Sequence, residues 1–279
     1  MRRLRPRGLA VRLALYGALA LCMLVFIGPI AWFFLLAIRP PETVFVSPPV
    51  FLFTPTWHAF HDTFVDPGAN LPQLFNSLIV SGGAVALSLP FSIPAAYAIS
   101  RFAFRGRRNL MLWYLGLLMA PPVAFLIPYF IVMNAIGLTG TYLSMILVLQ
   151  TLVVPFSVWL LKSFFDEIPI DLEEAARIDG AGLASVLWRI TLPLALPGLI
   201  VTAMFAFVFA WNNAAFPLVL SDQDTTTLPI GTLGYFATAG VTWNDIGAAA
   251  VGAMVPPMLI FLLLGRYIVR GLTFGSIKG

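Results

Sequence analysis

An all-α, polytopic membrane protein is the fold class this sequence predicts, on three observations. The mean hydropathy is +0.94, with 60% hydrophobic and 14% aromatic residues, which lies outside the range of soluble domains. Six stretches of about 20 nearly uncharged residues match the hydrocarbon thickness of a bilayer. When the loops between them alternate sides, 15 of the 16 Lys and Arg fall on one side, the asymmetry that marks cytoplasmic segments.

The chain reads as one membrane domain, 1–279. An N-terminal helix occupies 12–38, core helices lie within 77–268, and a cytoplasmic hairpin fills 162–193 between spans four and five. The six spans are 12–38, 77–99, 110–133, 143–161, 194–220 and 246–268. The first follows Arg2, Arg3, Arg5, Arg7 and Arg12, which resembles the start of a signal peptide. Its apolar run is too long for a signal core and shows no small-x-small cleavage site, so a retained helix is expected. With the N-terminus in the cytoplasm, Arg101, Arg105, Arg107, Arg108, Lys162, Arg177, Arg189, Arg266, Arg270 and Lys278 also fall inside, and Arg39 alone falls outside. Both termini are then cytoplasmic.

The outer loops differ in character. Residues 39–76 are rich in Pro, Phe and Thr, and residues 221–245 carry Asp222, Asp224, Asp245 and a Thr run. His58 and His61 share an H-x-x-H spacing in the first loop, but solvated loop histidines are the better reading than a metal site, because no carboxylate or Cys stands at suggestive spacing. Cys22 is the single cysteine. It can form no intramolecular disulfide and is read as a small buried hydrophobe. Prolines punctuate the spans, among them Pro90, Pro94, Pro121, Pro122, Pro155, Pro197, Pro256 and Pro257, and each removes a backbone donor and bends its helix. The net charge of +4 reports topology and gives no ground for a nucleic-acid partner.

Between Asp166 and Arg189 the chain places eight charged side chains: Asp166, Glu167, Asp171, Glu173, Glu174, Arg177, Asp179 and Arg189. At about 2.5–3.5 kcal/mol for each charge at mid-bilayer, embedding them would cost on the order of 20 kcal/mol, so the segment is aqueous. It is also patterned for helix. Asp171 is the expected N-cap, with Glu174 in capping-box position. Glu173 and Arg177 have the favourable i,i+4 polarity, and Gly180 and Gly182 end the helix. A second helix carries Leu183, Val186, Leu187 and Ile190 on one face. Two fates remain open on these grounds: packing against the membrane domain or the lipid interface, or presentation to another protein.

Glu174-Ala175-Ala176, Gly180 and Ile190-x-Leu192-Pro193 reproduce E-A-A-x-x-x-G-x(9)-I-x-L-P. In this the sequence resembles the membrane permease subunit of binding-protein-dependent ABC importers. The stretch Arg266–Gly279 resembles the carbohydrate branch, of maltose permease second-subunit type. "WNNAAFPL", Trp211–Leu218, is similar to a Trp-Asn-Glu-Phe stretch of that branch, with Asn213 where Glu is frequent.

The resemblance implies that the hairpin is a coupling helix seated in a separate ATPase subunit. Glu174, Ala175, Ala176 and Gly180 would make the contact, with Arg177 and Asp179 at the rim and Glu173 and Gly182 as further members of the hairpin surface. It further implies a second permease subunit, an ATPase dimer, and an extracytoplasmic binding protein that delivers a sugar or oligosaccharide across a prokaryotic inner membrane. The same architecture could instead carry a polyol, glycerol phosphate or peptide. No G-x-x-x-x-G-K-[ST] loop occurs, so ATP and Mg are expected on the partner and no cofactor or metal on this chain. Neither H-E-x-x-H nor G-x-S-x-G occurs, and no span carries a histidine, which argues against an intramembrane enzyme. No ionisable residue lies near a span centre, which argues against a lone secondary transporter. Asn76, Ser81, Gln150, Asn212 and Asn213 are candidates for the substrate path as polar residues in spans, and Trp211 as a sugar-stacking ring; interhelical hydrogen bonds are the competing use of such residues.

Overall fold

The computed structural model describes residues 6–44, 46–48, 50, 52–66, 70–237 and 243–273. Arg2, Arg3, Arg5, Lys278 and the rest of 274–279 lie outside them, as do the side chains of Arg7 and Arg270. All regular structure among the described residues is helical: α1 (Pro6–Ile38), a 3₁₀ turn (Pro41–Thr43), α2 (His58–Phe64), α3 (Leu71–Arg101), α4 (Arg107–Met119), α5 (Val123–Ala135), α6 (Tyr142–Asp166), α7 (Ile170–Ile178), α8 (Leu183–Val186), a π turn (Leu187–Thr191), α9 (Leu192–Leu194), α10 (Leu196–Trp211), α11 (Ala215–Leu220), α12 (Leu228–Ala237) and α13 (Trp243–Thr273).

Among the described residues four helices, α1, α3, α6 and α13, are long and apolar enough to cross a membrane unbroken, and up to six spans result if two bent pairs each count as one. The bends refine the expected spans. The third, expected as one helix over 110–133, breaks into α4 and α5 at 95°. Ala120 is extended (φ −70°, ψ 132°), the conformation imposed on a residue before proline. Pro121 and Pro122 then supply no backbone donors to continue the ladder. The fifth, expected as 194–220, is two helices, α10 and α11, separated at 212–214; α10 itself turns by 78° from the hairpin segment Leu183–Leu194, where the π turn and Pro193 precede Ala195 and Pro197 follows it.

Packing divides the described residues into two compact units, one within 1–71 and 234–254 and the other within 72–233 and 255–279. In the first, α1 is exposed along most of its length and is buried only at Leu36, Ala37 and Ile38. A helix apolar on every side belongs in lipid. Cys22, expected to be buried, is exposed on α1 because that stretch of helix has no packed interior beside it. Gly247 lets α13 approach the α1 backbone: a Cβ there would lie 2.9 Å from Ala37 N and 3.0 Å from Phe33 O. Asn244 Nδ2 donates to Leu36 O (2.9 Å) and Arg39 O (2.5 Å), satisfying carbonyls freed at the end of α1. Arg39 is buried, donates to Val50 O at 2.7 Å, and lies over the Phe53 ring.

The second unit is built around α6. Thr141 caps it through Ser144 N at 3.2 Å, and its faces carry two apolar clusters. Met145, Val148, Leu149 and Leu152 pack with Val80 and Ala84 of α3, Ala206 of α10 and Phe216 of α11. Toward the α7 end, Val158, Leu161 and Phe165 pack with Ile93, Ala96 and Tyr97 of α3 and with Leu187. Small residues permit the close approaches expected of membrane helices: Gly83 of α3 faces Ile146, and Gly198 of α10 lies against the Phe164 ring.

Candidate functional site: the charged hairpin

The chain enters α7 earlier than the capping pattern predicts. Pro169 occupies the N-cap position and no side chain caps the helix, so Asp171 is not the cap and the Asp171–Glu174 capping box does not form. Instead Asp171 and Glu173 lie in the first turn, where negative charge meets the positive end of the helix dipole. The C-terminal end is as expected. Gly180 adopts φ +87°, Gly180 N donates to Arg177 O (3.0 Å), and Ala181 N donates to Ala176 O (2.9 Å). These two bonds are the Schellman closure, which glycine permits without strain. Gly182 is extended, and its carbonyl accepts Val186 N at 3.0 Å as α8 begins.

Glu173 is the largest departure from the sequence reading. It does not pair with Arg177. Its side chain is 2% exposed and turns inward, where Oε1 accepts from Arg101 Nε (2.8 Å) and Thr191 Oγ1 (2.9 Å) and Oε2 accepts from Tyr97 OH (2.9 Å). Arg101 reaches Ile168 O at 3.1 Å as well. An ion pair withdrawn from water persists only when its remaining hydrogen-bonding positions are also filled, and three donors fill this carboxylate. Beside it, Asp166 accepts from Ser100 Oγ (2.5 Å) and from Lys162. The hairpin is thus clasped to the end of α3. Glu173 sits on the inner side of that clasp and lies off any surface a partner could touch.

Glu174, Ala175, Arg177, Asp179, Gly180 and Gly182 are exposed, and Ala176 is half-buried. Space beyond a Cβ at Gly180 or Gly182 is open, so a partner can come against the backbone there. Sequence reasoning missed the apolar part of this surface. Ile178 is 86% exposed, and Leu172 and Ile170 are exposed too. Of the four residues whose spacing predicts one packing face, Val186 and Leu187 are buried and Ile190 is half-buried, but Leu183 faces out. The odd position of Ile178 between Arg177 and Asp179 was the available signal. Exposed apolar groups rimmed by charge suit contact with another protein or with the lipid interface.

Among the residues expected along a substrate path, Asn76, Asn212 and Asn213 make side-chain hydrogen bonds within the fold. Asn76 is buried; its Nδ2 donates to Asp224 O (2.8 Å) and Thr226 O (2.9 Å), and its Oδ1 accepts from Tyr142 OH (2.7 Å). Gln150 Nε2 donates to Ile146 O and Ala84 O, while its buried Oε1 has no partner. Asn213 Oδ1 accepts Phe216 N at 3.1 Å, and exposed Asn212 bonds back to Val208 O. Ser81 is buried. Trp211 is 3% exposed and stacked on Phe207 at 5.6 Å, so in this conformation its ring is not presented to a sugar.

Two features outside the hairpin carry ionisable side chains held by neighbours. His58 and His61 sit on α2 with carboxylates in reach, His58 Nδ1 2.6 Å from Asp62 and His61 Nδ1 3.1 Å from Asp66, all on exposed or half-exposed surface. The helical turn brings together what the linear spacing left apart. In the loop between α11 and α12, Asp222 Oδ1 accepts from Thr225 Oγ1 (2.8 Å), Thr225 N (3.0 Å) and Asp224 N (3.1 Å). The bonds from Thr225 foremost hold the Asp222 carboxyl below the ordinary carboxylate range.

Residues 88–274, which include the hairpin, match the family described as binding-protein-dependent transport system inner membrane component. The chain is 34% identical over 259 residues to a probable ABC transporter permease protein, y4oR, of Sinorhizobium fredii, covering 92% of this chain and 93% of that protein. It is 32% identical over 270 residues to the trehalose/maltose transport system permease protein MalG of Thermococcus litoralis, covering 96% of each. In fold it is similar to a chain of a bacterial ABC transporter involved in the import of the acidic polysaccharide alginate, with a TM-score of 0.75, 22% identity, and coverage of 96% and 99% of the two chains.

Proposed function

Because the chain belongs to the family of inner membrane components of binding-protein-dependent transport systems, we propose that it forms half of the translocation path for a sugar or oligosaccharide, moved by a separate ATPase docked on the α7 hairpin. One observation carries the docking assignment: α7 turns a charged and apolar face outward while its one buried carboxylate, Glu173, grips α3. In this reading Glu174, Ala175, Ile178 and Gly180 meet the ATPase, and ATP and Mg bind there. A second permease subunit completes the path. A binding protein delivers the solute at the opposite end, near the Asp222 loop, and the hairpin end and both termini face the cytoplasm. The sugar assignment rests on the C-terminal resemblance to the carbohydrate branch and on relatives such as the trehalose/maltose permease protein.

The clasp also gives the force a route. The hairpin is joined by the backbone to α6 and, through the π turn, to α10. The side chains add α3, which is 72 residues distant in sequence at the Arg101–Glu173 contact. Motion imposed on α7 reaches α3 through a carboxylate with three donors and the hairpin's flank through Thr191.

The deciding experiment is co-purification of the chain with candidate ATPase subunits of its source organism, for the wild type and for Gly180→Asp, together with uptake of the sugar retained by the binding protein that supports its transport. Loss of the ATPase and of uptake in Gly180→Asp is expected. A stable complex with undiminished uptake would remove the hairpin from the coupling role, and a binding protein that retains no carbohydrate would remove the sugar.

A further inference from the structure

At the hairpin's end of the bundle, beside the clasp, a shallow cleft of about 550 Å³, open to its surroundings, is lined by Phe104, Gly106, Arg107, Arg108, Asn109, Met111 and Lys162. Its charge is poorly balanced. Lys162 is paired with Asp166, but among the described residues neither Arg107 nor Arg108 has a carboxylate partner. Both arginines stand in the first turn of α4, which contains no acid and follows Gly106 in the left-handed region with no side-chain cap. Cations in a first turn oppose the helix dipole, and two of them beside a third add mutual repulsion. An excess of Lys and Arg on one side of the membrane accounts for how many such residues occur. It does not account for two helices turning theirs into one concavity.

We propose that this cleft binds the phosphate headgroup of an anionic phospholipid in the leaflet on the hairpin's side. Basic pockets between membrane helices at the interface have the chemistry for such headgroups. Arginine offers planar, paired donors to phosphate oxygens and Lys162 a point charge. Phe104 and Met111 in the wall, with Phe102 exposed just before it, give the glycerol and first methylenes an apolar neighbour. A free inorganic phosphate would satisfy the cations but leave that apolar wall unused. The inference rests on the cleft alone and is independent of the ATPase assignment.

The test uses the full chain, purified with its partner subunits in detergent, and counts retained lipid by native mass spectrometry with added phosphatidylglycerol, phosphatidylcholine or inorganic phosphate. Phosphatidylglycerol should be retained in preference to phosphatidylcholine. The pair Arg107→Gln/Arg108→Gln should weaken retention by roughly 30-fold, from about 1 kcal/mol for each basic group. Arg107→Lys/Arg108→Lys should keep binding, which separates lost charge from lost folding. Arg105→Gln, on the same loop but outside the cleft, should keep it also. Equal retention by wild type and the double Gln variant would overturn the site. So would a loss in Arg105→Gln as large as in the double Gln variant, which is diffuse attraction, or displacement of the lipid by an equal concentration of inorganic phosphate. Release of the ATPase with lipid retention unchanged would make the patch a protein contact and equally end the proposal.

Discussion

Glu173 and Arg101 meet at 2.8 Å with their side chains 2% and 5% exposed, joining a helix of the hairpin to the end of a membrane helix that precedes it by 72 residues. The contact sorts the hairpin's charge into two kinds. Within α7 one carboxylate, Glu173, turns inward and sets where the helix sits, while Asp171 and Glu174 turn outward.

Removing one partner of that pair leaves the other buried and uncompensated, at a cost of about 3–5 kcal/mol. Glu173→Ala should therefore lower the thermal midpoint of the purified chain well beyond what an exposed substitution does. Arg101→Ala should do likewise, and the double variant should cost less than the two singles added, because the second substitution removes the group that the first strands. A thermal-shift series in detergent reads all three. Strictly additive losses would mean that the two side chains do not act as a pair.

Ile178 gives the opposite signature. It is 86% exposed, so Ile178→Asp removes no packing, and its effect on stability should stay within about 0.5 kcal/mol. If the outward face of α7 is where the ATPase sits, the same substitution should release that subunit on size-exclusion chromatography and abolish uptake. Retained ATPase with normal uptake would place the contact elsewhere.

Gly180 combines both requirements. At φ +87° a non-glycine residue is strained by about 1–2 kcal/mol, so Gly180→Ala should lower the thermal midpoint even though open space surrounds the site. Gly180→Asn should recover part of that loss, since Asn tolerates the left-handed region better. Equal midpoints for Ala and Asn would separate the effect from backbone conformation.

The helical class, the long apolar spans and the aqueous hairpin were legible from the sequence because each follows from local composition. Gly180 was legible as a helix stop for the same reason. The breaks at Ala120 and Ala195 were half-legible: the prolines were visible, but not whether neighbours would let the helix run on as a kink. Glu173 was not legible, because i,i+4 spacing offers Arg177 as readily as tertiary structure offers Arg101, and only the fold brings Tyr97, Arg101 and Thr191 to one carboxylate. The polar residues of the spans were read as candidates for a solute, yet Asn76 closes a loop and Asn213 holds a helix start. Gln150 by contrast keeps a buried Oε1 without a partner, and sequence cannot show which of these amides the fold will use.

Asp222 supplies a pH test at the other end of the second unit. Its carboxyl is held below the usual range by bonds from Thr225 and Asp224, so the folded loop favours the ionised form. The sign follows: the contribution is fully present above the unfolded carboxylate value of 3.8 and is lost as pH falls through the lowered folded value. Thr225 Oγ1 also lies 3.2 Å from Gly140 O, and Asn76 donates to Asp224 O, so protonation should loosen the link between this loop and α3. Hydrogen exchange at the Asp224 and Thr225 amides, corrected for the intrinsic effect of pH, should show protection that falls away only in strong acid. In Asp222→Asn, where the side chain accepts without titrating, protection should be weaker and flat across the same range. A matching acid-dependent loss in the Asn variant would assign the transition to another group.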